Sequence, residues 1–282
     1  MILVDFNQVM IGSLMMNAKT QGDISEDLLR HMMLNSLRMY RKQFHKTYGE
    51  MVICNDSRHY WRKDIYKYYK AGRKEGRDKS PFDWEMIFGI FDKIKEELRS
   101  NFPYKFLEVM GAEADDIIGV ICKYHHAEEN MLILSSDKDF IQLHKYKGVR
   151  QYSPMQKKFL KHVSPKAYLK EHTIRGDRGD GIPNFLSQDN CFVEGVRQTP
   201  ISKKKVEVWL TQLPEDIVGN NSDMAERWER NDKLVNLDRI PQLLVNDIQN
   251  AFKKEPRGAR KKLYDYFVMN KLSRLTDVIG DF

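Results

Sequence analysis

Cysteine is scarce here: Cys54, Cys122 and Cys191 are the only three in 282 residues, far apart and with no C-x-x-C pair. That spacing excludes a disulfide framework and a zinc knuckle, and it fits reduced thiols in a cytoplasmic protein. Long apolar runs are missing too, so no membrane span is expected. The opening MILVDFNQVM lacks both a basic n-region and a long apolar core, which argues against a signal peptide. There is no low-complexity tract and no fixed-period repeat. Acidic charge is the minority sign, 40 Asp and Glu against 47 Lys and Arg, for a net charge of +7. Such an excess points to a polyanionic partner, nucleic acid first, or to a merely basic soluble surface. The length suits one large domain or two modest ones.

The acids that are present are concentrated. The stretch from Gly111 to Asp139 carries Glu113, Asp115, Asp116, Asp137 and Asp139. The first three open a helical pattern, where the helix dipole favours negative charge, and Glu113 and Asp116 share a face. Met131–Leu134 is a short apolar run that reads as a buried strand, and Ser135, Ser136, Asp137 and Asp139 follow it. Ligands of parallel α/β sheets bind beyond the carboxyl ends of strands. One helix start and one strand end therefore aim five carboxylates at a single point. Two carboxylates about 5 Å apart repel by roughly 3 kcal/mol at an effective dielectric of 20. A hard divalent cation on oxygen ligands would offset that repulsion. The alternative at this point is helix capping beside an ordinary acidic loop.

The same device recurs upstream. Met1–Val4 reads as a strand ending at Asp5, and Met51–Cys54 as a second ending near Asp56. Lys105–Val109 reads as a third, with Val149–Tyr152 and Lys158–Val163 as edge strands or a hairpin. Three strand-then-Asp sites in a βαβ alternation suggest strand tips meeting at one sheet edge. Between the strands, helices are expected over Ile24–Tyr48 and over Pro81–Ser100 with Ser80 as cap. Met10, Met15, Met16, Met32, Met33 and Met39 read as core filling.

Arg58–Lys79 reads RHYWRKDIYKYYKAGRKEGRDK. Basic residues, Arg62, Lys63 and Lys67 among them, are interleaved with Tyr60, Trp61, Tyr66, Tyr68 and Tyr69. Cations neutralise phosphates and exposed aromatics stack on unpaired bases, so nucleic-acid contact is expected; the alternative is a solvated charged helix with its aromatics in the core. Gly72 and Gly76 mark the segment as mobile. Ser164-Pro165 is the expected boundary between a unit over 1–164 and a helical one over 165–282. A short helix over Pro165–Ile174 leads into the turn IRGDRGDGIPN, which carries Asp177 and Asp180. Ser202 then starts a helix whose first turn bears Lys203, Lys204 and Lys205, a phosphate clamp or an exposed lysine run. Helices are expected over Met224–Val235, Pro241–Phe252 and Arg260–Asn270, with a break at Pro256-Arg257-Gly258.

Four motifs, in this order and at these spacings, resemble the flap endonuclease / 5′-3′ exonuclease family, most closely its T-even phage branch. They are the strand-end Asp5, the block VICNDSRHYWRKDIYKYYKAGR, the pair EADD and SSDKDFIQL, and the turn GDRGDGIPN. The resemblance covers nearly the whole chain. It implies a mostly parallel α/β nuclease domain flanked by helices, as in PIN-like 5′-nucleases. A helical C-terminal domain would hold a helix–three-turn–helix around Asp177–Val208 that grips duplex DNA. By position, Asp5, Asp56, Glu113, Asp115, Asp137, Asp139 and Asp180 match the family's metal-site acids, and Asp116 and Asp177 match acids in or beside it. Lys70 and Arg73 match the basic pair at the base of an arch, about residues 58–80, that approaches the scissile phosphate. Tyr69 would stack on or orient the terminal nucleotide.

The implied activity is magnesium-dependent hydrolysis at 5′ ends, with two Mg2+ ions and Mn2+ as a substitute. Substrates would be 5′ flaps, forked or nicked duplex and RNA primers in RNA–DNA hybrid, as in ribonuclease H-like primer removal during replication. A monomer in the host cytoplasm is expected. The tail Leu272–Phe282, ending VIGDF, is expected to pack as a helix on the body, with docking to a sliding clamp as the alternative; a single-strand-binding protein would be a further partner. The chain departs from the family in a longer insert, Phe185–Gln198, where a compact Gly-x-Gly hairpin is usual, which leaves open a monovalent ion there. It also starts almost at its first strand, without the extension of some phage relatives. Two rival readings stand beside this one: a PIN-like single-strand ribonuclease and a non-catalytic DNA junction-binding protein.

Overall fold

The computed structural model describes residues 1–17, 25–254 and 260–282. The helix start expected at Ile24 and the break at Pro256–Gly258 lie outside the described residues, as does the side chain of Met16. Six strands form one sheet: β1 (Ile2–Asp5), β2 (Met51–Asn55), β3 (Lys105–Glu108), β4 (Met131–Leu134), β5 (Val149–Ser153) and β6 (Lys158–Leu160). Their order is β3-β2-β1-β4-β5-β6, all parallel except β6. The chain winds one way through β1, β2 and β3 and the other way through β4 and β5. The reversal lies between β1 and β4, and a sheet of this kind opens a crevice at that switch point.

Alternate residues of the strands face opposite layers, as the pleat requires. Ile2, Val4, Ile53, Phe106, Leu132 and Leu134 face one core. It is covered by α1 (Phe6–Asn17), α2 (Glu26–Tyr48) and α5 (Trp84–Asn101). Leu3, Val52, Cys54, Leu107, Met131 and Ile133 face the other, beneath α6 (Ala114–His125). Ser25 caps α2 by accepting from the Leu28 amide. The cap of α5 is Asp83, not Ser80: the Asp83 carboxylate accepts from Met86 N at 2.9 Å, and Ser80 Oγ serves Phe82 N. Of the methionines, Met10 and Met33 are buried, whereas Met39 is 46% exposed and fills no core.

The basic-aromatic segment is ordered into α3 (Arg62–Ile65) and α4 (Gly72–Asp78). Gly72 and Gly76 fall inside α4 rather than at hinges. After α7 (Pro165–Arg175), a long irregular stretch leads to α8 (Lys203–Thr211). Ile174, Phe185, Val206 and Trp209 pack these two helices together. Then follow α9 (Pro214–Val218), α10 (Ser222–Val235), α11 (Gln242–Lys254), α12 (Leu263–Met269) and α13 (Ser273–Thr276). These last helices return to the sheet. Leu244, Val245 and Ile248 of α11 join the α6 core, and Leu263, Tyr266, Phe267 and Phe282 join the opposite one. Phe282 is fully buried, its ring 5.7 Å from Phe102 and 5.2 Å from Phe267. The tail thus packs on the body, the first of its two expected readings, and not as a free clamp-docking end, because its aromatic ring finds an apolar slot there.

Candidate active site

The carboxyl tips of the strands around the switch point supply the first acids. Asp5 ends β1, and its Oδ2 accepts from Ser135 Oγ at 2.7 Å. Asp56 follows β2 and bridges Asn7 Nδ2 at 2.8 Å and the Ala114 amide at the start of α6 at 2.7 Å. Asp137 follows β4, and its Oδ1 accepts from the Asp139 amide at 2.9 Å. Asp115 projects from the first turn of α6. Asp5, Asp56, Asp115 and Asp137 line one cleft of about 750 Å³ together with Lys70 and Arg73.

Burial and crowding act on these groups. The Asp5 carboxyl is pushed up to about 7, by burial first and then by Asp56. Asp139 also rises to about 7, by burial first, with His172 opposing. Burial and the neighbouring acids raise Asp115 and Asp137 as well. A set of oxygen donors that resists ionising together is what a hard divalent cation would relieve, so the residues fit such an ion.

Glu113 and Asp116 behave differently. They cap α6 reciprocally, with the Asp116 carboxylate 2.9 Å from the Glu113 amide. Both are buried and meet Arg62: its Nη1 donates to Glu113 Oε2 at 2.8 Å, and its Nη2 lies 2.8 Å from Asp116 Oδ1. Trp61 Nε1 donates to Asp116 at 3.1 Å. Asp116 thus stands beside the cleft, spent on an internal ion pair. Arg62 is only 2% exposed and donates its Nε to Leu234 O, so the expectation that it contacts nucleic acid is corrected. Once buried between two carboxylates, the guanidinium cannot leave without stranding charge in the interior, which holds it away from a ligand.

Tyr69 calls for the same correction. At 4% exposed it has no free face for a base, and its hydroxyl sits between two carboxylates, 3.1 Å from Glu113 Oε2 and 3.0 Å from Asp180 Oδ2, with one proton to give to either. Lys70 pairs with Glu113, and Arg73 Nη2 with Asp180 Oδ1 at 2.5 Å. Lys70 also has a positive φ of 57°, an uncommon backbone state for a lysine that clusters at functional sites. Its amide donates to Asp180 O at 2.8 Å, which fixes the segment on the GDRGD turn. That turn needs its glycines. A Cβ on Gly176 would meet Ile182 O at 2.3 Å, and one on Gly181 would meet Tyr68 O at 2.9 Å, both at positive φ. Lys63 and Lys67 remain exposed, as do Lys203, Lys204 and Lys205 in the first turn of α8, which Ser202 caps.

Sequence reasoning passed over His172, one turn from the end of α7. The ring lies between Asp139 and Asp177, with Nε2 3.2 Å from Asp177 Oδ2 and Nδ1 3.2 Å from Asp139 Oδ1. Burial works against its charge, but the Asp177 hydrogen bond and the charges of Asp139, Asp177 and Asp137 outweigh it and push the imidazole up to about 9. The same hydrogen bond holds Asp177 down at about 2. A histidine five residues before a carboxylate across a helix end was the only available signal.

Residues 3–173 match the family described as 5′-3′ exonuclease, N-terminal resolvase-like domain. Residues 164–282 match the one described as T4 RNase H, C terminal. Ribonuclease H of Enterobacteria phage T4 is 34% identical, over 99% of this chain and 95% of its own length. Flap endonuclease Xni of Shewanella sp. (strain MR-4) is 30% identical, over 44% of this chain and 48% of its own length. In fold, the chain resembles the bacteriophage T5 D15 flap endonuclease solved with DNA and metal ions. The TM-score is 0.62 at 16% identity, over 89% of this chain and 97% of that one. The T5 D15 protein co-crystallised with metal ions gives 0.60, also at 16% identity, over 89% and 98%. Because the first family match takes in more than half of the chain and the T4 relative nearly all of it, the chain belongs to the 5′-3′ exonuclease family of 5′ nucleases, which are hydrolases.

Proposed function

We propose that the cleft at the β1/β4 switch point cuts phosphodiester bonds at 5′ ends with two Mg2+ ions, Mn2+ serving as a substitute. The observation that carries this reading is the convergence of Asp5, Asp56, Asp115 and Asp137 with Lys70 and Arg73 on one cleft. Asp5, Asp56, Asp115 and Asp137 would hold one ion and Asp139 and Asp180 would help hold the other, with Glu113 reached through Lys70. Bound there, the metals supply a hydroxide and stabilise the attacking and leaving oxygens.

The chain's own residues do the rest. Lys70 and Arg73 line the cleft, paired with Glu113 and Asp180, and would neutralise charge developing on the phosphate. The Glu113–Tyr69–Asp180 bridge holds both of them on a single scaffold, so their positions are set before substrate arrives. Lys63 and Lys67 are free to meet the 5′ single strand, and Lys203, Lys204 and Lys205 to meet the duplex backbone. Contacts of these types read phosphates rather than bases. The substrates proposed are therefore 5′ flaps, forked or nicked duplex DNA, and RNA primers in RNA–DNA hybrid. The enzyme would act as a monomer in the host cytoplasm.

A 5′-labelled flap on duplex DNA, incubated with Mg2+ and then with EDTA, tests the reading. Magnesium-dependent products released from the 5′ side support it, and their lengths separate exonucleolytic from flap cutting. Tight binding without products would instead favour a junction-binding protein.

A further inference from the structure

We propose that His172 is itself a metal ligand: its Nδ1, together with the Asp139 carboxylate, takes a divalent ion at the edge of the cleft, while Asp177 holds the ring from behind. The inference rests on the metal-dependent reading above and adds a nitrogen donor to an otherwise all-oxygen site.

The ring's orientation carries the argument. The His172 side chain is nine-tenths buried, at 10% exposure. Its Nε2 donates to Asp177 Oδ2 at 3.2 Å. Asp177 is itself fixed, since its Oδ1 accepts from the amides of Gly179 at 2.6 Å and Asp180 at 3.1 Å. With Nε2 committed, Nδ1 is turned to Asp139 Oδ1 at 3.2 Å, yet it has no hydrogen-bond partner among the described residues. The approach is close but off the line a hydrogen bond needs. A nitrogen and a carboxylate oxygen side by side form the edge of a coordination shell. For an octahedral ion with bonds of about 2.1 Å that edge is about 3.0 Å.

Asp139, His172 and Asp177 each present one donor atom within 4.8 Å of the others. The Asp177–His172 pair has the form of a carboxylate that orients a ligating imidazole through its far nitrogen. A cavity of about 440 Å³, lined by Gln8, Asp137, Asp139, Tyr168, His172 and Asp177, gives an ion a way in. An ion binding there displaces any proton on Nδ1 to solvent. Imidazole suits later first-row transition ions better than magnesium. This position therefore selects Co2+ or Zn2+ over Mg2+, and Mn2+ bound there has a nitrogen in its shell.

The test loads the full chain with Mn2+ and records electron spin-echo envelope modulation. Nitrogen modulation is expected, altered when the protein is grown with 15N-histidine and lost in His172→Gln. By calorimetry, His172→Gln should weaken Co2+ binding about tenfold or more and Mg2+ binding only slightly. Asp177→Asn, which leaves Nδ1 intact but loosens the ring, should reduce the modulation without abolishing it. Absence of nitrogen modulation in the unaltered protein overturns the inference, as does modulation that survives His172→Gln. If His172→Gln fails to fold, the isotope result on the unaltered chain and Asp177→Asn still decide. Flap cutting with Mg2+ but no nitrogen signal would sink this inference alone. A nitrogen signal with no cutting would sink only the nuclease reading.

Discussion

Arg62 Nη2 lies 2.8 Å from Asp116 Oδ1, and both side chains are closed to solvent. The pair joins the start of the basic-aromatic segment to the start of α6, so it anchors the wall that carries Lys70 and Arg73. Breaking it leaves the buried Asp116 carboxylate without its cation, while Glu113 keeps Lys70. Arg62→Ala should lower unfolding free energy by about 3–5 kcal/mol. Urea unfolding followed by circular dichroism measures this, and an unchanged midpoint would return Arg62 to the surface.

Asp137→Asn should abolish cleavage of a 5′ flap while leaving DNA affinity within a few-fold. The residue follows the β4 tip inside the cleft and makes no ion pair among the described residues. Cleavage and fluorescence anisotropy on the same substrate separate the two effects. Normal cutting by the variant in magnesium would remove Asp137 from the site.

Replacing Lys203, Lys204 and Lys205 with alanine should weaken duplex binding uniformly across sequences. The slope of log affinity against log salt should fall by about 1 for each phosphate no longer neutralised. Catalysis at saturating substrate should change little, since these lysines do not line the carboxylate cleft. A salt slope equal to that of the unaltered protein would mean that α8 faces solvent in the complex.

Metal and pH should act together on stability. Asp5 and Asp139 rise from an ordinary 3.8 to about 7. Between those values the folded chain binds protons that the unfolded chain has released, so ν_U − ν_N is negative and stability falls as pH rises. Asp177, held at about 2, acts oppositely: its contribution is present above 3.8 and is lost only as pH falls toward 2, below the window. In EDTA the urea midpoint should therefore drop between about pH 5 and pH 7. Mg2+ at a hundred times its Kd should restore about 2.7 kcal/mol at the upper end. A flat profile in EDTA would show that neither burial nor the neighbouring acids raise these carboxyls.

Phe282→Ala should cost about 3–5 kcal/mol, the range for emptying a buried aromatic site. The ring fills a pocket among Phe102, Phe267 and their neighbours, and α12 and α13 lead into it. Differential scanning calorimetry reads the loss. No change in Tm would mean that the tail detaches and is free to dock elsewhere.

Local pattern in the sequence determined the strands, most of the longer helices within a few residues, and the acids at strand ends, whereas α1 and the short helices α3, α4, α9 and α13 were not read from it. Each of those signals sits inside a short window, and a run such as MLIL followed by SSDKD has few ways to fold. The sequence also marked Asp5, Asp56 and Asp137 as a group, since strand-then-acid repeats in a βαβ alternation lead to one sheet edge; it placed Asp115 at a helix start with Glu113 and Asp116, and did not separate it from them. Only the tertiary structure decided how the rest divide. The β1/β4 reversal sets which tips adjoin. A basic-aromatic run looks alike whether its residues face water or the interior, and the acids Glu113 and Asp116, packed behind it, drew Arg62 and Tyr69 inward while Lys63 and Lys67 stayed out. The C-terminal helices could be read as helices, but not that they close both cores of the sheet, because an apolar stripe does not name its partner. His172 shows the same limit: nothing near it in the chain foretold Asp139, which only the packing of α7 against the loop after β4 brings to its Nδ1.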